Sequence, residues 1–298
     1  MPQRILITGA TGTVGGALLR RLATAHREGK IVVSAGARSA AKRERLAALG
    51  VAAVHLDYED AASVRAAVAD TDRLFLVTGY SVDMLMHSKT VLDAARRAGV
   101  AHVVHLGAAG SDEQPYAHLA WHAYVERYIE ALGFGYTHLQ PGTYMHNVLR
   151  VVRPGSPVLR QFFGNARLAW IDTDDIAAVA EAALLDPAAH RGATYHLAGE
   201  ILAMNEVAAT IASVTGIPFT YEPRDPADLL ALLLKSGMEP VYARSLAQAI
   251  GATARGENPA LTATADAVAK VTGRPGTRWV EFATRHRDRF LVAASRQT

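Results

Sequence analysis

Cysteine is absent from all 298 residues, which excludes disulfides, thiolate metal sites and a cysteine nucleophile and is compatible with a reducing compartment. Aromatic residues are sparse, at 7% of the chain against 50% hydrophobic, so the interior must be built mainly from aliphatic side chains. Neither sign of charge dominates: 31 Lys and Arg face 28 Asp and Glu, a formal charge of +3. The two basic clusters, Lys42/Arg43/Arg45 and Arg285/Arg287/Arg289, are interspersed with acids or alanines in the manner of solvated helix faces. No nucleic-acid partner is expected from them. Long apolar runs are also missing, because the alanine-rich stretches after Asp175 and Asp228 are broken by Glu181 and Lys235; no membrane partner is expected. The segment Met1 to Gly9 runs directly into a strand without an apolar leader, so a cytoplasmic location is the expectation. No G-x-S-x-G elbow occurs, which leaves serine hydrolysis without support.

What the chain does contain is a strict alternation. Short β-branched runs at Ile5–Thr8, Ile31–Ala37, Val51–Leu56, Arg73–Val77 and Val100–Leu106 are separated by segments of helical periodicity, among them Ala40–Leu49, Ala61–Ala69 and Ser88–Ala98. That pattern predicts an α/β fold with a doubly wound parallel Rossmann sheet. A helix is predicted from Tyr116 to Leu132 and a further strand from Tyr136 to Gln140. Residues 1–150 are expected to form the nucleotide-binding domain, with residues 151–298 a smaller, mainly helical carboxy-terminal lobe. The sheet is expected to recruit strands from about 166–200 as well, with a helix between them capped by Asp174 or Asp175, and the chain is expected to fray after Phe290.

The strongest signal is Gly9-Ala10-Thr11-Gly12-Thr13-Val14-Gly15, placed between the first strand and the first helix. In that position the first glycine permits a tight turn, the second admits a pyrophosphate to the backbone amides, and the third lets helix and strand approach closely. Free amides at the helix start then face the phosphate charge, and a dinucleotide is the expected cofactor. The end of the second strand selects which one: an acid would bind a ribose 2′-hydroxyl, whereas Arg38, with Lys42 and Arg43 nearby, suits a 2′-phosphate. NADP(H) is therefore expected over NAD. Asp57, followed by Tyr58, ends the third strand and is a candidate either for the adenine edge or for a loop cap. Thr78, Gly79 and Gly107 lie at later strand carboxyl ends, where open α/β sheets bind ligands.

This opening resembles that of the atypical short-chain dehydrogenase/reductases. Glu126, the stretch Leu132-Gly133-Phe134-Gly135-Tyr136-Thr137-His138-Leu139-Gln140-Pro141-Gly142-Thr143-Tyr144-Met145-His146-Asn147 and Asp172-Thr173-Asp174-Asp175-Ile176-Ala177 are similar to the NmrA-like branch, in particular to its triphenylmethane and quinone reductases. The resemblance implies that Gly9 to Gly15, Arg38, Asp57, Thr78, Gly79 and Gly107 border the cofactor, with Pro141, Gly142, Thr143 and Tyr144 near the nicotinamide and His122 at the ribose. It also exposes a departure. Members with the full catalytic set carry a serine after the fifth strand and a tyrosine four residues before a lysine, whereas this chain has Gly107-Ala108-Ala109 and then His118 and His122.

His118, His122 and Tyr144 are the candidate catalytic residues, with Tyr116 a rival proton donor. His118 and His122 share a helix face, yet the zinc-protease glutamate is missing between them and no third ligand is evident, so no metal is expected. Tyr80, Tyr116, Trp121 and Met145 are expected around the substrate. The resulting expectation is an NADPH-dependent reductase that passes hydride to a small conjugated or cationic acceptor of quinone, dye or iminium type, as a monomer or homodimer. Such an acceptor needs little or no enzymic acid, which suits the missing tyrosine. The alternative is a non-catalytic NADP(H)-binding redox sensor; a carbonyl reductase using histidine in place of tyrosine is a third reading.

Overall fold

The computed structural model describes residues 1–110, 115–153, 155–258, 261 and 265–294. The first half alternates as expected: β1 (Gln3–Ile7), α1 (Thr13–Arg27), β2 (Ile31–Ala37), α2 (Ala40–Ala47), β3 (Ala52–His55), α3 (Ala61–Val68), β4 (Arg73–Leu76), α4 (Met84–Ala98), β5 (His102–Leu106), α5 (Ala117–Ala131) and β6 (Gly135–Pro141). Then follow β7 (Thr143–Tyr144), α6 (His146–Val151), β8 (Val158–Gln161), β9 (Arg167–Ile171), α7 (Thr173–Leu185), α8 (Pro187–His190), β10 (Ala193–Leu197), β11 (Ile201–Ala203), α9 (Met204–Thr215) and β12 (Thr220–Pro223). The chain closes with α10 (Leu229–Lys235), α11 (Pro240–Ala254), α12 (Ala267–Thr272), α13 (Trp279–Arg285) and α14 (Arg287–Ala294).

Seven strands form one sheet in the order β10-β6-β5-β4-β1-β2-β3. β1 pairs in parallel with β2 and β4, β2 with β3, β4 with β5, and β5 with β6. Helix ends follow from local chemistry. Ser39 caps α2 by accepting the Lys42 amide, Asp60 caps α3 by accepting that of Ala62, and Gly99, at φ +82°, closes α4.

The chain divides into two compact units. The first comprises residues 1–112, 120–140 and 176–195. One cluster of its core is mainly aliphatic, with Leu6, Val64, Leu74, Leu76, Val91, Leu92, Val103, Val125 and Ile129 packed with Phe134, and Phe75 of β4 is fully buried as well. The second comprises residues 113–119, 141–175 and 196–298 and concentrates the scarce aromatics. Trp170, Phe219, Trp279, Phe282 and Phe290 pack there with Met145, Leu159, Met204 and Ile211. The indoles of Trp170 and Trp279 meet edge to face, their centroids 5.2 Å apart.

Three expectations are corrected. β10 joins the large sheet, but β9 does not: it pairs antiparallel with β11 and parallel with β7 in a separate three-stranded sheet. The cap of α7 is neither Asp174 nor Asp175, because the helix begins at Thr173 and Asp172 accepts the Asp174 amide at 3.1 Å. Asp172 and Asp175 are fully buried and each meets an arginine at 2.7 Å, Arg285 and Arg274 respectively, while Asp175 also accepts the Thr277 amide. The chain continues past Phe290 as helix to Ala294, anchored by the buried Phe290 ring against Phe219.

Trp279 is fully buried, whereas its neighbour Val280 is 41% exposed. Trp279→Ala is expected to cost about 3–5 kcal/mol and Val280→Ala less than about 0.5 kcal/mol, as measured by urea unfolding.

Candidate active site

The glycine loop follows β1, and its geometry explains the residue types. Gly9 has φ +60°, and a Cβ there would stand 2.9 Å from the Cβ of Val77. A Cβ on Gly15 would lie 2.4 Å from the Gly9 carbonyl oxygen and 3.0 Å from the Ala10 α-carbon, so α1 can approach β1 only with glycine at this point. The Gly12 amide closes the turn by donating to the Gly9 carbonyl at 2.8 Å. Gly12 caps α1 without a side-chain acceptor, and the first turn carries no acidic residue. The Val14 and Gly15 amides have no carbonyl within the helix to bond. The positive end of α1 is thus uncompensated, in contrast to the capped starts of α2 and α3, and suits an anion approaching close to the backbone. The residues present fit a dinucleotide diphosphate on this ground.

The neighbouring strand ends are tied to the same point. The Thr8 hydroxyl accepts the Val77 amide at 2.7 Å and lies 2.9 Å from the Val77 carbonyl, which also accepts the Tyr58 hydroxyl at 2.7 Å. Burial raises the Tyr58 pKa above its ordinary value. Arg38 is exposed directly beyond β2. Arg43 is not available in the way Arg38 is: its guanidinium donates to the Arg38 carbonyl at 2.6 Å and the Ala37 carbonyl at 3.3 Å, bracing the strand end. The Asp57 carboxylate accepts the Glu59 amide at 3.2 Å, the local loop cap. Thr78 is half-buried with its hydroxyl 3.4 Å from that of Ser88, Gly79 is exposed, and Tyr80 is 70% exposed. Gly107 donates its amide to the Leu139 carbonyl at 2.8 Å, and a Cβ on it would meet Glu126 Oε1 at 2.6 Å. The parallel sheet thus gathers Gly9 to Gly15, Arg38, Asp57, Tyr58, Thr78, Gly79 and Gly107 at one edge of the first unit.

The remaining candidates are distributed over both units. In the first, Trp121 is buried and His122 half-buried, its ring 5.8 Å from that of His105. In the second, Gly142 lies against β9, where a Cβ would meet the Ala169 carbonyl at 2.6 Å, and Thr143 and Tyr144 pair with Trp170 and Ile171. Pro141 is buried, whereas Thr143, Tyr144 and Tyr116 are half-buried. Met145 is a correction: it is fully buried among Val148, Leu159 and Trp170, where it fills core and has no face for a substrate. His118 is buried, and its Nδ1 lies 2.7 Å from the Ser245 hydroxyl, which also accepts the His118 amide at 3.1 Å. Burial pushes its pKa down to about 4. Burial thus disfavours the imidazolium form that a histidine donor near neutrality would use.

A set that the linear pattern did not single out is His105, Glu126 and His138, whose ligating atoms lie within 4.8 Å of one another. Their sequence separation hides them, and only β5–β6 register opposes His105 to His138.

The NmrA-like family matches residues 1–263. An NAD(P)H azoreductase from Xenophilus azovorans is 32% identical over 295 residues, 97% of this chain and all of that protein. The structure of an NADPH-dependent quinone oxidoreductase from Escherichia coli complexed with NADPH superimposes with a TM-score of 0.79 at 27% identity, covering 94% of this chain and 99% of that one. The fold is shared too by the triphenylmethane reductase of a Citrobacter species, complexed with NADP(H), at a TM-score of 0.77 and 24% identity over 95% and 99% of the two chains.

His102, like His118, is held down to about 4 by burial. For each, the folded pKa lies below the unfolded value, so their contribution to stability is full above about pH 6.5 and is lost as pH falls toward 4. Unfolding free energy is expected to decline over that window with up to about 1.4 kcal/mol per pH unit from each histidine. Urea titrations across the window should show a shallower decline in His118→Gln.

Proposed function

We propose a function from one premise: the chain belongs to the NmrA-like family, and it is an NAD(P)H-dependent oxidoreductase of the quinone, azo and dye reductase type. Within that class it uses NADPH to reduce a small conjugated or cationic acceptor, a quinone, dye or iminium. The observation that carries the reading is the uncapped start of α1 against the Gly9 carbonyl with Arg38 exposed at the end of the next strand.

In this reading the chain's own residues bind, orient and exclude water. The Val14 and Gly15 amides take the diphosphate, and the Arg38 guanidinium takes the 2′-phosphate through charge-assisted hydrogen bonds. Arg43 serves the same end indirectly, by fixing the carbonyls on either side of the Ala37–Arg38 peptide. Asp57 and Tyr58 border the adenine, Thr78, Gly79 and Gly107 the middle of the cofactor, His122 the ribose, and Pro141 to Tyr144 the nicotinamide. Bound NADPH supplies the hydride. Tyr80, Tyr116 and Trp121 flank the acceptor.

Proton supply separates this reading from carbonyl reduction. Gly107 stands where a catalytic serine would be, and His118 is neutral with its Nδ1 occupied by Ser245. Tyr144, with Tyr116 its rival, is then the candidate donor that carries a phenolic hydroxyl. An iminium or triarylmethane cation takes hydride at carbon without any proton, and a reduced quinone takes its proton from water. For such acceptors the work of the protein is positioning, not acid catalysis.

Arg38→Asp is expected to weaken NADPH binding roughly 10- to 100-fold, the worth of a charged hydrogen-bonding contact, while NADH binding changes less. Fluorescence titration reads both, and unchanged NADPH affinity removes the assignment. NADPH oxidation is expected with quinones, azo dyes, triarylmethane dyes or iminium ions, and silence across that panel would overturn the acceptor class. Tyr144→Phe is expected to retain turnover to within about tenfold, less than the 100-fold or more that loss of a general acid costs.

A further inference from the structure

Beneath α5 the sheet carries a buried polar layer where β5 and β6 meet. His105 of β5 and His138 of β6 are opposed in register, so they project from the same face of adjacent strands. Both are 1% exposed, and Glu126 of α5 is 3% exposed. Each contributes one ligating atom to a set that spans no more than 4.8 Å.

Among the described residues His105 Nδ1 is buried without a hydrogen-bond partner. Glu126 Oε1 is 3.9 Å away, too far to accept from it. The carboxylate is nevertheless held in place, since Gln140 Nε2 donates to its other oxygen at 2.9 Å. Gly107 leaves the room that Oε1 occupies, because a Cβ there would come within 2.6 Å of it. The His138 ring is oriented in turn, stacked on Tyr136 with centroids 4.5 Å apart and with Glu130 Oε1 lying 3.4 Å from its Nε2. Two imidazoles and a carboxylate, backed by an amide and a second carboxylate, make the donor set and supporting shell of a transition-metal site.

We propose that His105, Glu126 and His138 bind one first-row divalent ion of the zinc type, which fastens α5 to β5 and β6. Nitrogen and oxygen donors of this kind suit zinc or cobalt more than magnesium or calcium. Occupation draws the three donors to roughly 3.4 Å from one another, as tetrahedral bonds of about 2.1 Å require, a movement that side-chain torsions supply. The site lies wholly within the first unit, and its presence does not depend on the reductase reading.

The test is a Co2+ titration of the tag-free, chelator-stripped full chain at neutral pH. The expected result is one ion per chain with the visible ligand-field absorption of a tetrahedral nitrogen and oxygen shell, displaced by equimolar Zn2+, and a raised thermal midpoint on loading. His105→Gln and Glu126→Gln abolish the absorption, Gln140→Leu weakens binding by about tenfold, and His196→Gln, an exposed site, leaves it intact. Should the buried-site variants fail to fold, X-ray absorption of the zinc-loaded wild type decides, with two imidazoles and a carboxylate expected in its shell. No ion retained by the wild type, a different shell, or an equally tight ion in folded Glu126→Gln overturns the proposal.

Discussion

The close approach of the Gly15 backbone to the Gly9 carbonyl governs the glycine-loop end of this molecule. A single added methyl group would stand 2.4 Å from that oxygen, and α1 would have to tilt or withdraw from β1. With glycine in place the helix begins directly over the strand end, and its own first turn carries no carboxylate to engage the free amides. Thr8 and Tyr58 converge on Val77 and hold the ends of β1, β3 and β4 level with this point. An anion site of this kind costs the protein little, because the positive charge is the backbone's own.

Elsewhere the two units solve the shortage of aromatics differently. The first packs valine, leucine and alanine between its sheet and its helices, a material that tolerates close layers. The second gathers tryptophan and phenylalanine into one cluster and sets fully buried carboxylates beside it. Asp172 and Asp175 are each met by an arginine, since a buried charge without such a partner would be prohibitive. The β9–α7 corner is thereby fastened to the segment from Arg274 to α13. β5 and β6 depart from this aliphatic packing, since His105 and His138 are buried under α5 and His102 is buried against Thr137.

Much of the fold was legible because its signals are local. Alternation of β-branched runs with helical periods located six strands of the sheet, and glycine spacing marked the turn between β1 and α1. The proton-donor assignment was not legible in the same way. His118 is a candidate donor in the sequence because it falls where the family resemblance puts a tyrosine; Ser245, whose hydroxyl meets its Nδ1, lies 127 residues away. Met145 sits beside Tyr144 in sequence, but the two side chains of consecutive residues diverge, one into the core and one half-exposed. Arg43 reads as a spare cation in the sequence, but from α2 it donates to the carbonyls at the end of β2.

The sequence by itself determined the sheet-and-helix order, the cofactor class suggested by the glycine loop with Arg38, and the lack of thiol chemistry, all of which depend on neighbours within one βα unit or on composition alone. Tertiary structure alone decided the strand partners of β9, the neutral state of His118 and the meeting of His105, Glu126 and His138. These rest on burial and on contacts between distant segments, and both desolvation and strand register arise only once the chain has closed on itself.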